Sequence, residues 1–159
     1  MSGLNPTFTH LDDAGAARMV DVAGKDVTVR AAVASGRVQL SAECVALLRG
    51  AGVPKGDALA VARIAGIMGA KRTPDLIPLC HPISLSGVTV DLVVDDEGVA
   101  VTATARTADR TGVEMEALTA VSVACLALVD MTKAVDPRAV ISDIRVESKT
   151  GGKTGPWAR

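Results

Sequence analysis

A thirteen-residue segment without a formal charge, residues 117–129, constrains the fold of this chain more than any other feature. The segment contains neither Gly nor Pro and is rich in Ala and Leu, which favour the α-helix. Glu114 and Glu116 precede it, and Asp130 and Lys133 follow it. The pattern predicts a long, mostly buried helix, from about residue 112 to residue 135, that carries its charges at the two ends.

The helical period sorts the residues of this helix into two faces, at about 100° per residue. One face collects Glu116, Thr119, Ser122, Asp130 and Lys133. The opposite face collects Leu118, Val121, Cys125, Leu128 and Val129. Terminal charges commonly just end a core helix, because the helix dipole favours Glu at the start and Lys at the end. A structural and a functional interpretation of these charges are therefore both open.

Composition limits the classes of protein to which the chain can belong. With 159 residues it suits one domain, and 17 basic against 18 acidic residues give no signal for nucleic acid or an anionic membrane. Phe8 and Trp157 are its only aromatic residues, too few for stacking on exposed bases. Hydrophobic residues make up 48%, which predicts apolar surface buried between subunits. No uncharged run reaches the roughly 20 residues of a membrane span, so we expect a soluble, cytoplasmic protein.

The three cysteines, Cys44, Cys80 and Cys125, are widely spaced and lie in apolar sequence. An odd number of such cysteines is typical of reduced, buried thiols and not of a disulfide framework. A zinc site built on Cys80 and His81 lacks the CxxC or HxxxH spacing that such sites use. The sequence therefore predicts no metal site.

The remaining chain predicts a βααββαβ order of elements. An irregular lead over residues 1–22 is followed by a strand over 27–40, which contains a turn at Ser35 and Gly36, and by helices over 42–49 and 58–72. A hairpin with alternating strands over 88–94 and 99–105 comes next, then the long helix, a strand over 140–146 and a flexible Gly- and Lys-rich tail over 149–159. This order predicts a single α+β, ferredoxin-like domain, with an antiparallel sheet and helices packed on one face.

His81 and Lys55 each have both a functional and a purely structural interpretation. His81 lies between an apolar run and Pro82, and an imidazole there can donate or accept at neutral pH. A lone His near a core is more often a structural group. Lys55 lies in a Gly-containing loop before a helix, where a ligand can approach the backbone closely, although a solvated loop lysine is the usual case.

Taken together, however, the motifs of this chain resemble one known family. They are, in order, MVDV at residues 19–22, KGD at 55–57, ARIAGI at 62–67, KRT at 71–73, IPLCHP at 77–82, TGVEMEALT at 111–119, DMTKAV at 130–135 and KTGGK at 149–153. The chain resembles the MoaC family, the cyclic pyranopterin monophosphate synthase accessory proteins of molybdenum cofactor biosynthesis. The resemblance covers almost the whole chain.

The resemblance implies a lyase that converts 3',8-cyclo-7,8-dihydro-GTP to cyclic pyranopterin monophosphate and releases diphosphate. It also implies a ferredoxin-like fold assembled as a homo-hexamer, a trimer of dimers, with sites at the dimer interface. The residues that match the family's catalytic positions are Lys55, Asp130 and Lys133. Those that match the segments holding the purine-derived part of the substrate are Leu79, Cys80, His81, Glu114, Met115 and Glu116.

The residue types suit such a reaction. Each step moves protons, and Asp130 lies one helical turn from Lys133, where it can tune the lysine. The triphosphate needs cations, for which Lys25, Arg30, Lys71 and Lys149 are candidates. No cofactor is indicated, although Mg²⁺ can arrive on the triphosphate.

Two other functional classes stay open for this chain. One is a non-catalytic oligomeric protein that binds a nucleotide or pterin, and the other is a structural oligomer in which these charges cap helices.

Overall fold

A computed structural model describes residues 8–50 and 57–159. The strands are β1 (Thr28–Gln39), β2 (Leu85–Asp95), β3 (Gly98–Asp109), β4 (Val140–Thr150) and β5 (Trp157–Ala158). The helices are α1 (Ala42–Arg49), α2 (Ala58–Ala70), α3 (Thr73–Leu76) and α4 (Glu114–Thr132). All strand pairs are antiparallel, and the order in the sheet is β2-β3-β1-β4-β5. The α+β, ferredoxin-like class predicted from the sequence is confirmed, and α3 and β5 are added to the predicted order of elements.

The central strand β1 runs without a turn through Ser35 and Gly36, so the turn predicted there is wrong. Its alternate residues Ala32, Ala34 and Val38 are buried under α4. Gly36 lies on the same face, where a Cβ atom would come within 2.7 Å of Val121 Cγ1. The glycine therefore serves a close approach between sheet and helix, which is a common reason for Gly inside a strand.

The long helix α4 is the core helix of the domain. Val121, Cys125 and Leu128 of the predicted apolar face are completely buried. By length and composition α4 could also cross a membrane, but just over half of its apolar window, 56%, is buried inside the domain. Small residues let α2 pack closely against it, since a Cβ atom at Gly66 would lie 2.8 Å from the carbonyl oxygen of Ala120.

The end of the chain folds back onto the sheet. Lys149 and Thr150 extend β4 beyond its predicted end, and Trp157 pairs with Lys149. Gly151 and Gly152 have φ angles of +82° and +83°, which glycine adopts without strain and which let the chain reverse. Part of the segment predicted as a flexible tail therefore has regular hydrogen-bonded structure.

Candidate active site

The loop after α3 and the first turn of α4 enclose a cavity of about 140 Å³, here called the inner cavity. Its lining contains every residue that the sequence resemblance assigned to the purine-derived part of the substrate, namely Leu79, Cys80, His81, Glu114, Met115 and Glu116. Thr111, Gly112 and His10 complete the lining. Leu79 and Glu116 are 37 positions apart in the sequence. The packing of α4 beside the 77–82 loop brings them to the same cavity.

The ring of His81 is fixed by a hydrogen bond. Its Nε2 atom lies 2.6 Å from the carbonyl oxygen of Val20. Because a carbonyl can only accept, Nε2 carries the hydrogen in this contact, and Nδ1 of a neutral ring is left as an acceptor. A turn in which Cys80 donates its backbone N–H to the carbonyl of Ile77, at 3.1 Å, holds the residues just before the imidazole.

The most perturbed carboxylate of the site is Glu116. Only 3% of the surface of this residue is exposed. Burial, with a smaller contribution from the charge of Glu114, raises the pKa of Glu116 from 4.5 to about 7. A carboxyl group with such a pKa can accept or donate a proton at neutral pH. Burial, and secondarily the charge of Glu116, also raises the pKa of the Cys80 thiol, which keeps this cysteine protonated and a poor nucleophile.

At the rim of the inner cavity, Glu114 forms an ion pair with Lys149 of β4, with 3.2 Å between Oε1 and Nζ. The carboxylate folds back over Gly112, so a Cβ atom at this position would force it to move. Lys149, a candidate for binding phosphate, is therefore occupied by a carboxylate in this structure. The pair connects the end of β4 with the start of α4.

A second cavity, of about 440 Å³, is rich in cationic groups and is here called the basic cavity. Lys25 and Arg30, both predicted as phosphate candidates, line it together with Lys153. Thr28 also lines it, and its buried Oγ1 atom finds no hydrogen-bond partner among the described residues. Lys71 follows α2 as its C-cap and lies outside both cavities.

The predicted pair of Asp130 and Lys133 is formed, at 2.8 Å between Oδ1 and Nζ, but at the other end of α4. Both side chains are 59% exposed. Glu116 and Asp130 are separated by about 21 Å along the helix at 1.5 Å per residue. One chain therefore does not bring the pair to its own inner cavity. Lys55, the third predicted catalytic residue, lies outside the described residues.

Sequence reasoning did not identify His10 or Lys153 as site residues. The chain has only two histidines, and both line the inner cavity. Because histidine is so scarce in this chain, composition alone could have indicated His10 as well as His81. Within residues 8–50 and 57–159, no group of three or more His, Cys, Asp or Glu side chains is arranged to hold a metal ion.

Comparison with known proteins identifies the family. The model described as the MoaC family matches residues 19–152. This chain belongs to the MoaC family. It is 72% identical to the cyclic pyranopterin monophosphate synthase of Streptomyces coelicolor, covering 99% of this chain and 94% of that protein. The protein of the same name from Nocardioides sp. is 68% identical, with 100% and 99% covered. Cyclic pyranopterin monophosphate synthase 2 of Mycobacterium tuberculosis is 61% identical, with 96% and 91% covered.

The raised pKa of Glu116 predicts a pH dependence of the stability of this MoaC protein. Between pH 4.5 and 7 the unfolded chain releases the Glu116 proton before the folded chain does. The free energy of unfolding should therefore fall as the pH rises through this window, by about 3 kcal/mol in total. Glu116→Gln stays neutral, so this variant should be more stable than wild type at pH 8 and equally stable at pH 4.

Urea unfolding at a series of pH values measures this difference. Asp91→Asn, an exposed change on β2, is the control and should follow the wild-type profile. Equal stabilities of wild type and Glu116→Gln at pH 8 would contradict the prediction and would mean that Glu116 is ionised at no cost.

Proposed function

We propose that this protein converts 3',8-cyclo-7,8-dihydro-GTP to cyclic pyranopterin monophosphate, with release of diphosphate, in molybdenum cofactor biosynthesis. The observation that carries the proposal is the inner cavity, which collects all six residues assigned to the substrate's heterocycle. The names of the relatives, cyclic pyranopterin monophosphate synthases, support it. In this proposal the protein is a cytoplasmic lyase that works by general acid–base catalysis.

The inner cavity has the chemistry to hold the purine-derived part of the substrate. Leu79 and Met115 contribute apolar surface, while Glu116 and His81 contribute polar groups. A guanine-type edge offers N–H donors and a carbonyl acceptor, which a carboxyl group and an imidazole can pair at set distances. Because the pKa of Glu116 is about 7, this residue can follow proton changes on the ring during the rearrangement.

The basic cavity suits the triphosphate. Lys25, Arg30 and Lys153 supply more positive charge than the carboxylate of Asp26 cancels. The Thr28 hydroxyl, which has no hydrogen-bond partner within the described residues, supplies a further polar group. Residues at and just after the end of β4 contact both cavities. Lys149 pairs with Glu114 at the rim of the inner cavity, and Gly152, three residues later, lines the basic cavity. In this proposal a single nucleotide occupies both cavities, with Lys149 and Lys71 as further candidate cations and with any Mg²⁺ carried on the phosphates. No resident cofactor is part of the proposal.

The catalytic pair reaches the substrate from a second chain. Along α4, Asp130 lies about 21 Å from Glu116 and Lys133 lies about one turn further, so a symmetric neighbour must supply them to the inner cavity. Apolar side chains at helical spacing on α2, those of Val61, Ile64 and Met68, are 43%, 59% and 61% exposed and favour association. We therefore propose a homo-oligomer, a hexamer built as a trimer of dimers, with shared sites that also contain Lys55.

Incubation of the purified protein with 3',8-cyclo-7,8-dihydro-GTP tests the proposed function directly. We expect stoichiometric release of diphosphate and formation of the pterin product. A protein that binds the compound without releasing diphosphate would instead be the non-catalytic nucleotide- or pterin-binding alternative. A protein that neither binds nor converts it would be a structural oligomer.

His81→Ala should weaken substrate binding by about tenfold, the value of one polar contact in a buried site. Calorimetry in a Lys133→Ala background, in which turnover is blocked, measures this affinity. His81→Gln is the matched control, because a glutamine amide can still donate to the carbonyl of Val20 and keep the loop in place. Unchanged affinity in His81→Ala would leave His81 with a structural role only.

A further inference from the structure

Both histidines of the chain line the inner cavity, yet only His81 has an assigned place there. His10 precedes residues 19–152, the span that matches the MoaC family model. It reaches the cavity from the N-terminal lead, whereas the remaining lining comes from the loop after α3 and from residues 111–116. Its position therefore depends on how the lead folds.

The lead forms a small closed structure, residues 8–18, here called the His10 hairpin. Leu11 pairs with Ala17 in an antiparallel bridge, and the backbone N–H of Arg18 donates to the carbonyl of His10 at 2.8 Å. The Asp12 carboxylate accepts the N–H groups of Ala14 and Ala16 at 2.9 and 2.8 Å. These bonds stabilise the turn as an Asx-type motif and set the direction from which His10 approaches.

The same segment also holds the other imidazole. Two residues after Arg18, the carbonyl of Val20 accepts the hydrogen bond from His81 Nε2. The lead thus fixes His81 and carries His10 to the cavity. Glu116 is buried in the cavity wall, whereas His10 is exposed. His10 accordingly stands at the mouth of the cavity and Glu116 lies deeper inside.

We propose that His10 contacts the flat, fused-ring heterocycle of the substrate at the mouth of the inner cavity. The proposal deepens the proposed function and rests on it. An imidazole offers both a planar face for stacking and a ring nitrogen for hydrogen bonding. The two aromatic residues of the chain, Phe8 and Trp157, do not line the cavity, so its two histidines provide its planar side chains. His10 then covers the heterocycle, and the His10 hairpin positions it.

Four variants of the full-length protein test the proposal. His10→Ala removes the ring, and His10→Gln keeps a hydrogen-bonding group without the planar ring. Asp12→Ala removes the two side-chain hydrogen bonds of the hairpin, those to Ala14 and Ala16, and Asp12 does not line the cavity. Asp13→Ala, an exposed change in the same hairpin and outside the cavity lining, is the matched control. Two quantities are measured: the Kd of GTP by calorimetry, and KM and kcat for diphosphate release from 3',8-cyclo-7,8-dihydro-GTP.

We expect His10→Ala to raise both the Kd of GTP and KM about tenfold with little change in kcat. His10→Gln and Asp12→Ala should shift both constants in the same direction by less, and Asp13→Ala should match wild type. A His10→Ala protein with the circular dichroism spectrum, Kd and KM of wild type would overturn the proposal and leave the proposed function intact. A wild-type protein that binds GTP through His10 but releases no diphosphate would overturn the proposed function alone. Absence of both binding and turnover in wild type would overturn both.

Discussion

Replacing Lys133 with Ala is expected to lower turnover of 3',8-cyclo-7,8-dihydro-GTP by about a hundredfold or more, the usual contribution of a general acid or base. The same change should leave the free energy of unfolding within about 1–2 kcal/mol of wild type. Lys133 is 59% exposed and pairs with Asp130 at 2.8 Å, so it fills no part of the core. Steady-state diphosphate release and urea unfolding measure the two quantities. A large loss of turnover at nearly unchanged stability would support a catalytic role for Lys133 over a role in helix capping alone.

Asp130→Ala should reproduce the loss, because the two residues form one ion-paired unit on one helical turn. The double variant should be little worse than either single variant, as expected for groups that act together. Arg49→Ala, which breaks the exposed ion pair with Asp96, is the control and should keep normal turnover. Near-normal turnover of Lys133→Ala would contradict a catalytic role for Lys133. It would favour the interpretation that the Asp130–Lys133 pair only ends a core helix.

We expect Glu116→Ala and Lys133→Ala each to be inactive alone, and mixing the two variants should restore activity. If each site takes Glu116 from one chain and Lys133 from its partner, a mixed dimer has one intact site and one site with both defects. Random pairing makes half of the dimers mixed, so about a quarter of the sites should be intact. The physical reason is the length of α4, which keeps Glu116 and Lys133 of one chain about 26 Å apart.

The measurement is diphosphate release after the two proteins are unfolded together and refolded, with mixed dimers counted by native mass spectrometry. A mixture of Lys133→Ala and Asp130→Ala is the matched control. Both defects lie on the same end of α4, so every site keeps one defect and this mixture should stay inactive. A Glu116→Ala and Lys133→Ala mixture that contains mixed dimers but stays inactive would place all catalytic groups on one chain.

The sequence by itself determined the elements whose signals are local. The uncharged run over residues 117–129 predicted α4, with its ends within three residues of those observed. Alternating side chains and the turn before Gly98 predicted the hairpin of β2 and β3. The family motifs identified six residues that do share one cavity. Each of these signals is contained in a short stretch of chain, where periodicity, turn residues or a motif can be read directly.

Only the tertiary structure decided the features that depend on distant neighbours. Gly36 belongs to a continuous strand because α4 packs against it, and glycine alone does not distinguish such a contact from a turn. The pKa of Glu116 is raised because the folded chain removes water from around it, and no local pattern reports that burial. His10 joins the inner cavity through a hairpin about 70 residues before His81, and the Asp130–Lys133 pair is separated from that cavity by the length of α4. These outcomes follow from long-range packing, whose energy depends on which surfaces meet and not on the residues adjacent in sequence.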